Sequence, residues 1–188
     1  MSEFELLKTI KEPSDIKQMP FERLQELCQE IRAAIINRVS KGGGHLGPNL
    51  GIVETAVALH YVFDSPKDKI IWDVSHQCYP HKMLTGRAQG FYDDTFFKNI
   101  SGFTAPEESK HDIFTIGHTS TSVSLAYGLA KARDYQNEKE NIIAVIGDGS
   151  LSGGEAFEGL DNAGDLKTNF IVVINDNEMS IAENHGGL

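Results

Sequence analysis

The chain has 188 residues, 40% of them hydrophobic and 23% charged, and a formal net charge of -10, which is the make-up of a globular chain with room for one well-buried domain. The acidic balance argues against a nucleic-acid-binding surface, which is ordinarily basic, yet it leaves room for a phosphate pocket in which a metal supplies the positive charge. Two cysteines, Cys28 and Cys78, lack metal-ligand spacing and suggest neither a disulfide framework nor a zinc site, and with no signal-like start and no stretch apolar enough to span a bilayer, a cytoplasmic protein without a membrane partner is expected.

Residues 1–20 contain Pro13 and Pro20 and are expected to form an amino-terminal arm with little regular structure, ahead of a domain over 21–188. Residues 21–40 place Phe21, Leu24, Leu27, Ile31, Ala34, Ile35 and Val39 on one stripe. That is an amphipathic helix, stopped at Gly42-Gly43-Gly44. The next stretch, residues 41–51, is too rich in glycine and proline to continue it and displays His45 between flexible turns. Small residues there let a backbone approach a ligand closely, and they serve equally well as a stop and a start for two helices with His45 in solvent. A second helix is expected from residue 49 or 50 to 63, with Ile52, Val53, Ala56 and Leu59 apolar.

A short strand is predicted over 69–74. Beyond it, Ser75-His76-Gln77-Cys78-Tyr79-Pro80-His81-Lys82 concentrates polar and aromatic side chains at a strand end, where ligands bind if the strand is parallel to its neighbours. The plainer alternative is a loop in which His76 satisfies a backbone group. Glycines and prolines punctuate residues 85–112 so densely that no element is assigned. Residues 113–116 read as a brief strand or extended segment, followed by Gly117-His118-Thr119-Ser120-Thr121-Ser122 and a helix over 123–135. Those hydroxyls are expected to cap the helix and can equally donate to a phosphate.

The most informative stretch is 141–179. Ile142 to Ile146 is an unbroken apolar run, as in a strand buried on both faces. Gly147-Asp148-Gly149 ends it, residues 152–163 have helical spacing with Ser152 as a cap, and a second apolar run over 170–174 leads to Asn175-Asp176-Asn177. The unit is strand, helix, strand, with a right-handed crossover expected. Both strands then point the same way, and Asp148 and Asn177 leave the sheet at one edge. A carboxylate, an amide oxygen and a nearby carbonyl are hard ligands that suit Mg²⁺ or Ca²⁺. Gly149 and Ser150 add free N–H groups near a helix start, where an anion is favoured. The combination implies a metal-bridged diphosphate.

The Gly-Asp-Gly and Asn-Asp-Asn pair resembles the signature of thiamine diphosphate enzymes. The longer series KGGGHLGPNLG, IIWDVSHQCYPHKMLTGR, HDIFTIGHTSTS and VIGDG to NDNEMSIAEN resembles the 1-deoxy-D-xylulose 5-phosphate synthase family from about residue 21 to the last residue. The resemblance implies an α/β fold, a mostly parallel sheet with helices on both faces that is incomplete in this chain. It also implies Mg²⁺ held by Asp148, Asn177 and the carbonyl of Met179, with His76, Gly117, His118, Thr119, Gly149, Ser150 and Asn177 contacting thiamine diphosphate. His45 would face the reacting carbon and its substrate.

Ser75 and Thr119 stand where many members have glycine and serine. Members of the family continue into a pyrimidine-binding domain, which supplies a catalytic glutamate, and a carboxy-terminal domain, so this chain alone is expected to be inactive. The family reaction joins pyruvate and glyceraldehyde 3-phosphate with loss of carbon dioxide, in a homodimer. The rival readings are the amino subunit of a split transketolase, a non-catalytic thiamine diphosphate-binding module, and a nucleotide-binding sheet.

Overall fold

Three strands, β1 (Lys69–Trp72), β2 (Ile142–Gly147) and β3 (Ile171–Asn175), pair in the order β1-β2-β3, all parallel, with Trp72 opposite Val145 and Gly147 opposite Asn175. The computed structural model describes residues 4–165 and 167–176. Successive residues of a strand face opposite sides, so the apolar runs feed two separate cores. Ile70, Trp72, Ile143 and Val145 pack on one face against Leu27, Ile31, Ala34 and Ile35 of α1 (Phe21–Gly42) and Val53, Ala56 and Val57 of α3 (Val53–Val62). On the other face Ile71, Ile142, Ala144 and Ile146 pack against Val123, Ala126 and Ala130 of α6 (Ser122–Tyr135) and Ala156 of α8 (Gly154–Gly164). An α/β fold with helices on both faces of a parallel sheet is therefore what the described residues form.

Several elements differ from the sequence reading. Leu6, Leu7, Ile10 and Ile16 of the expected arm are buried in the first core, and residues 7–9 and 13–16 form short 3-10 turns. The second helix is broken: α2 (Gly47–Gly51) starts inside the expected loop, with Pro48 in its first turn, and Ile52 separates it from α3. α4 (Tyr79–Lys82) begins within the expected polar loop and runs into a π-type turn over Met83–Arg87, from which Gly86 departs at φ 89. α5 (Gln89–Tyr92) and a 3-10 turn over Asp94–Asn99 occupy the stretch left unassigned. Residues 113–116 form no strand, which leaves the extended segment of the two alternatives. Ser152 does not cap α8, because its hydroxyl donates to the carbonyl of Gly149 at 2.8 Å.

Residues 100–121 have no helix or strand and lie against the fold as a strap. A buried charge network fastens its middle. Arg87 makes a two-pronged pair with Asp112, at 2.6 and 2.8 Å, and Lys82, fully buried, reaches Glu108 at 2.6 Å. The amide of Ala105 donates to Asp112 at 2.8 Å and that of Ser101 to Glu108 at 2.7 Å, so two strap carboxylates hold both the cations and the strap's own backbone. His81 adds a bond to Asp112 at 2.9 Å, and His60 meets the other nitrogen of His81 at 2.8 Å. With both rings neutral, as their burial favours, Nε2–H of His81 donates to the carboxylate and its Nδ1 accepts from Nε2–H of His60.

Burial holds His60 and His81 below the ordinary imidazole value, and burial with the neighbouring His81 pushes His111 down to about 4. Burial alone would raise Asp112, but the Arg87 guanidinium and the His81 ring hold its carboxyl far below the usual range. Depressed imidazoles mean that the unfolded chain binds more protons as pH falls below about 6.5, and a depressed carboxylate extends the effect below about 4. The unfolding free energy measured in urea should therefore fall steadily from pH 7 to pH 4. Asp112→Ala, which strands Arg87 in a buried site, should cost about 3–5 kcal/mol at pH 7; a flat pH profile or a loss under about 1 kcal/mol would contradict the network.

Candidate functional site

The site is built where β1 and β2 end. After Trp72 the chain turns through Val74 (φ 58) and Ser75 (φ 63), both left-handed, with the amide of Ser75 reaching back to the carbonyl of Asp73 at 2.5 Å. A β-branched residue in that region is strained and persists only where its surroundings fix it. Here they do. Asp73 is fully buried, and its amide donates to Val145 of β2 at 2.8 Å, prolonging the ladder. Its carboxylate accepts the amides of Ser120 at 3.0 Å and Ser122 at 2.9 Å.

That carboxylate does the work expected of the local hydroxyls. Thr121 makes no capping bond to α6 and instead donates to the carbonyl of His118 at 3.2 Å. Ser120 (φ 70) donates to the carbonyl of Ser150 at 2.6 Å, and the Ser122 hydroxyl is buried without a partner among the described residues. An acid 49 positions before Ser122 in the chain thus caps α6, and Ser120 is freed to tie the 117–121 loop to the turn after β2. Ser75, also fully buried, donates to the carbonyl of Ile116 at 2.9 Å and accepts the amide of Thr104 at 3.1 Å. It joins the start of that loop and the strap to the end of β1.

Gly117, His118 and Thr119 are exposed on this loop, and a methyl group added at Gly117 would meet nothing within 4 Å. The His118 ring donates from Nδ1 to the carbonyl of Thr119 at 2.9 Å. Asp148 opens the single turn α7 (Asp148–Leu151), half-buried, with Gly149 exposed and Ser150 half-buried. Because Gly147 pairs with Asn175, Asp148 and Asp176 follow the ends of adjacent parallel strands at the same edge. Asn177 and Met179 lie outside the described residues.

His45 and His76 come together although they stand 31 positions apart in the chain, with helix, loop and strand between them. Their rings meet edge to face with centroids 5.5 Å apart, and Phe103 of the strap stands against His45 at 5.4 Å. Nδ1 of each histidine is buried and lacks a hydrogen-bond partner among the described residues. Burial, and then the His45 ring, lower the His76 pKa against the opposing pull of Asp73. Sequence alone gives Asp73, Asn49 and Phe103 no site role, Ser120 only that of a cap or phosphate donor, and Tyr79 only a place in a polar and aromatic stretch. The signal for Asp73 was an acid placed directly after an apolar strand.

Residues 7–188 match the family model described as 1-deoxy-D-xylulose-5-phosphate synthase. The chain belongs to that family. Relatives named 1-deoxy-D-xylulose-5-phosphate synthase are 56% identical in Desulfitobacterium hafniense (strain DSM 10664 / DCB-2) and 57% identical in Pelotomaculum thermopropionicum, each over 97% of this chain and 29% of the relative. A relative of the same name in Dictyoglomus turgidum is 54% identical over 97% of this chain and 30% of its own length. The chain thus spans less than a third of these family members and corresponds to the amino-terminal part of the family.

The tie between Ser120 and the β2 turn leaves no room at Gly153, where a methyl group would lie 2.0 Å from the Ser120 hydroxyl oxygen and 2.8 Å from its Cβ. Gly153→Ala should destabilise the chain by about 1–3 kcal/mol through overpacking. Ser120→Gly removes both atoms and suits the left-handed φ, so the double variant should be less destabilised than the sum of the singles by at least about 1 kcal/mol in urea unfolding. Simple additivity would show that the two residues do not meet.

Proposed function

We propose that this chain forms the diphosphate- and metal-holding part of a thiamine diphosphate site, in an enzyme that joins pyruvate to glyceraldehyde 3-phosphate with release of carbon dioxide. The carrying observation is convergence: the His45 loop, the turn bearing His76, the 117–119 loop and the Asp148 turn are tied to one another around the ends of β1 and β2. Family membership supports the choice of reaction, through the relatives' printed names.

The residues present fit the cofactor. Two buried imidazole nitrogens await partners, the faces of Gly117 and Gly149 are open, and Asp148 offers the hard oxygen that Mg²⁺ prefers. Asp148, with Asn177 and the Met179 carbonyl, would hold the metal; Gly149, Ser150, Gly117, His118 and Thr119 would hold the diphosphate end, and His76 and Asn177 would complete the contacts. Thiamine diphosphate, when bound, supplies the carbon chemistry. The chain's own part is to orient the diphosphate, keep metal and phosphates in register, and present His45 as a group that holds or moves a proton near the reacting carbon. A homodimer in the cytoplasm completes the reading, in keeping with the absence, among the described residues, of a helix long and apolar enough to cross a membrane.

Calorimetry tests this with the chain as it stands. Thiamine diphosphate should bind in the presence of Mg²⁺ and bind poorly with EDTA, whereas thiamine lacking phosphates should not bind. Asp148→Ala should weaken Mg²⁺-dependent binding by at least about 10-fold. Equal affinity with and without Mg²⁺, or in the variant, would contradict the assignment.

A further inference from the structure

His45 and His76 sit on separate segments, and contact between rings alone would not fix their spacing. A polar side chain beneath them does. Asn49 in α2 is fully buried, and its amide nitrogen donates to the carbonyl of His45 at 2.6 Å and to the carbonyl of His76 at 2.7 Å. Its amide oxygen accepts the backbone N–H of Tyr79 at 2.8 Å. Both donors of the side chain and one acceptor position are thereby used on backbone groups of the two histidine-bearing segments. An apolar replacement would leave two carbonyls and an N–H without partners.

A second contact closes the same gap from the other side. The Tyr79 hydroxyl accepts the amide of His45 at 3.3 Å. Gly44 passes this hydroxyl at φ 133, and a methyl group there would fall 2.6 Å from the hydroxyl oxygen. The chain before His45 is therefore shaped for the tyrosine as well as for the turn. Asn49 lies inside α2, whose N-cap position is Leu46, so its side chain is not used as a cap.

We propose that Asn49 and Tyr79 are positioning residues: together they staple the His45 loop to the turn after β1 and set the separation of the two imidazoles that face the site. This rests on the reading that His45 and His76 meet the same ligand. The staple itself is independent of any ligand, because every bond in it is made within the chain. It acts upstream of chemistry by holding two unpartnered nitrogens at a fixed spacing, and a small error in such a spacing is costly for a reaction that needs aligned groups.

The test is NMR of the ligand-free chain, with Asn49→Ala and Tyr79→Phe beside the parent. In the parent, the ring protons of His45 and His76 should show a mutual Overhauser effect, and His76 should titrate below an ordinary histidine, because burial and the His45 ring oppose its charge while Asp73 favours it. In each variant the ring-to-ring effect should weaken and the His76 midpoint should rise toward the ordinary value, with the amide spectrum of β2 unchanged. Tyr79→Phe deletes a single oxygen and keeps the question answerable should Asn49→Ala fail to fold. Rings that keep their mutual effect and titration in a folded variant overturn the staple. Thiamine diphosphate calorimetry on the parent decides the reading of the site separately, so the two failures are distinguishable.

Discussion

A single buried carboxylate sets the geometry on which the rest depends. Asp73 continues the β1–β2 ladder through its amide and satisfies two amides at the start of α6 through its side chain. A buried charge is tolerated only when it is hydrogen-bonded, and a helix start is an electrostatically favourable place to bond it. One residue therefore fixes the end of a strand, the entry of a helix and the loop between them. The strained Val74 and Ser75 follow from that, because the chain must reverse direction immediately after the carboxylate has been buried.

The strap and its ions play a complementary part. Lys82 and Arg87 face Glu108 and Asp112, so charge balances within a buried space, and the same carboxylates also hold strap amides. Burying ions adds little stability over an apolar core, but a network in which each carboxylate holds both a cation and a strap amide excludes other placements of an otherwise irregular segment. Its consequence reaches the site, since the strap delivers Phe103 to His45 and the amide of Thr104 to Ser75. Ser75 is used here as a joint between the strap, the 117–121 loop and the end of β1.

The sheet was legible because the apolar runs of β2 and β3 have the length and composition of strands covered on both faces, and α1 and α6 because their stripes have helical spacing. The edge at which Asp148 emerges followed from the parallel pairing that those runs imply. What escaped was held by contacts distant in sequence. The loop hydroxyls read as caps for α6, and no local pattern discloses that Asp73 takes that role. The π-type turn over 83–87 and the strap are held by Arg87, Asp112 and Lys82 meeting across the fold. Asn49 looked like one more polar residue in a glycine-rich stretch; only its three backbone partners reveal its use.

Seen together, the described residues form an edge on which four loops are tied to one another, as the proposed site requires. The central claim is that the Asp73 carboxylate makes this edge rigid before any ligand arrives. Amide hydrogen exchange at Ser120 and Ser122 in the ligand-free chain tests it most directly. Protection comparable to that of the β2 amides, lost at those two positions in Asp73→Ala while β2 stays protected, is the expected result; exchange at the rate of an open loop in the parent chain would contradict it.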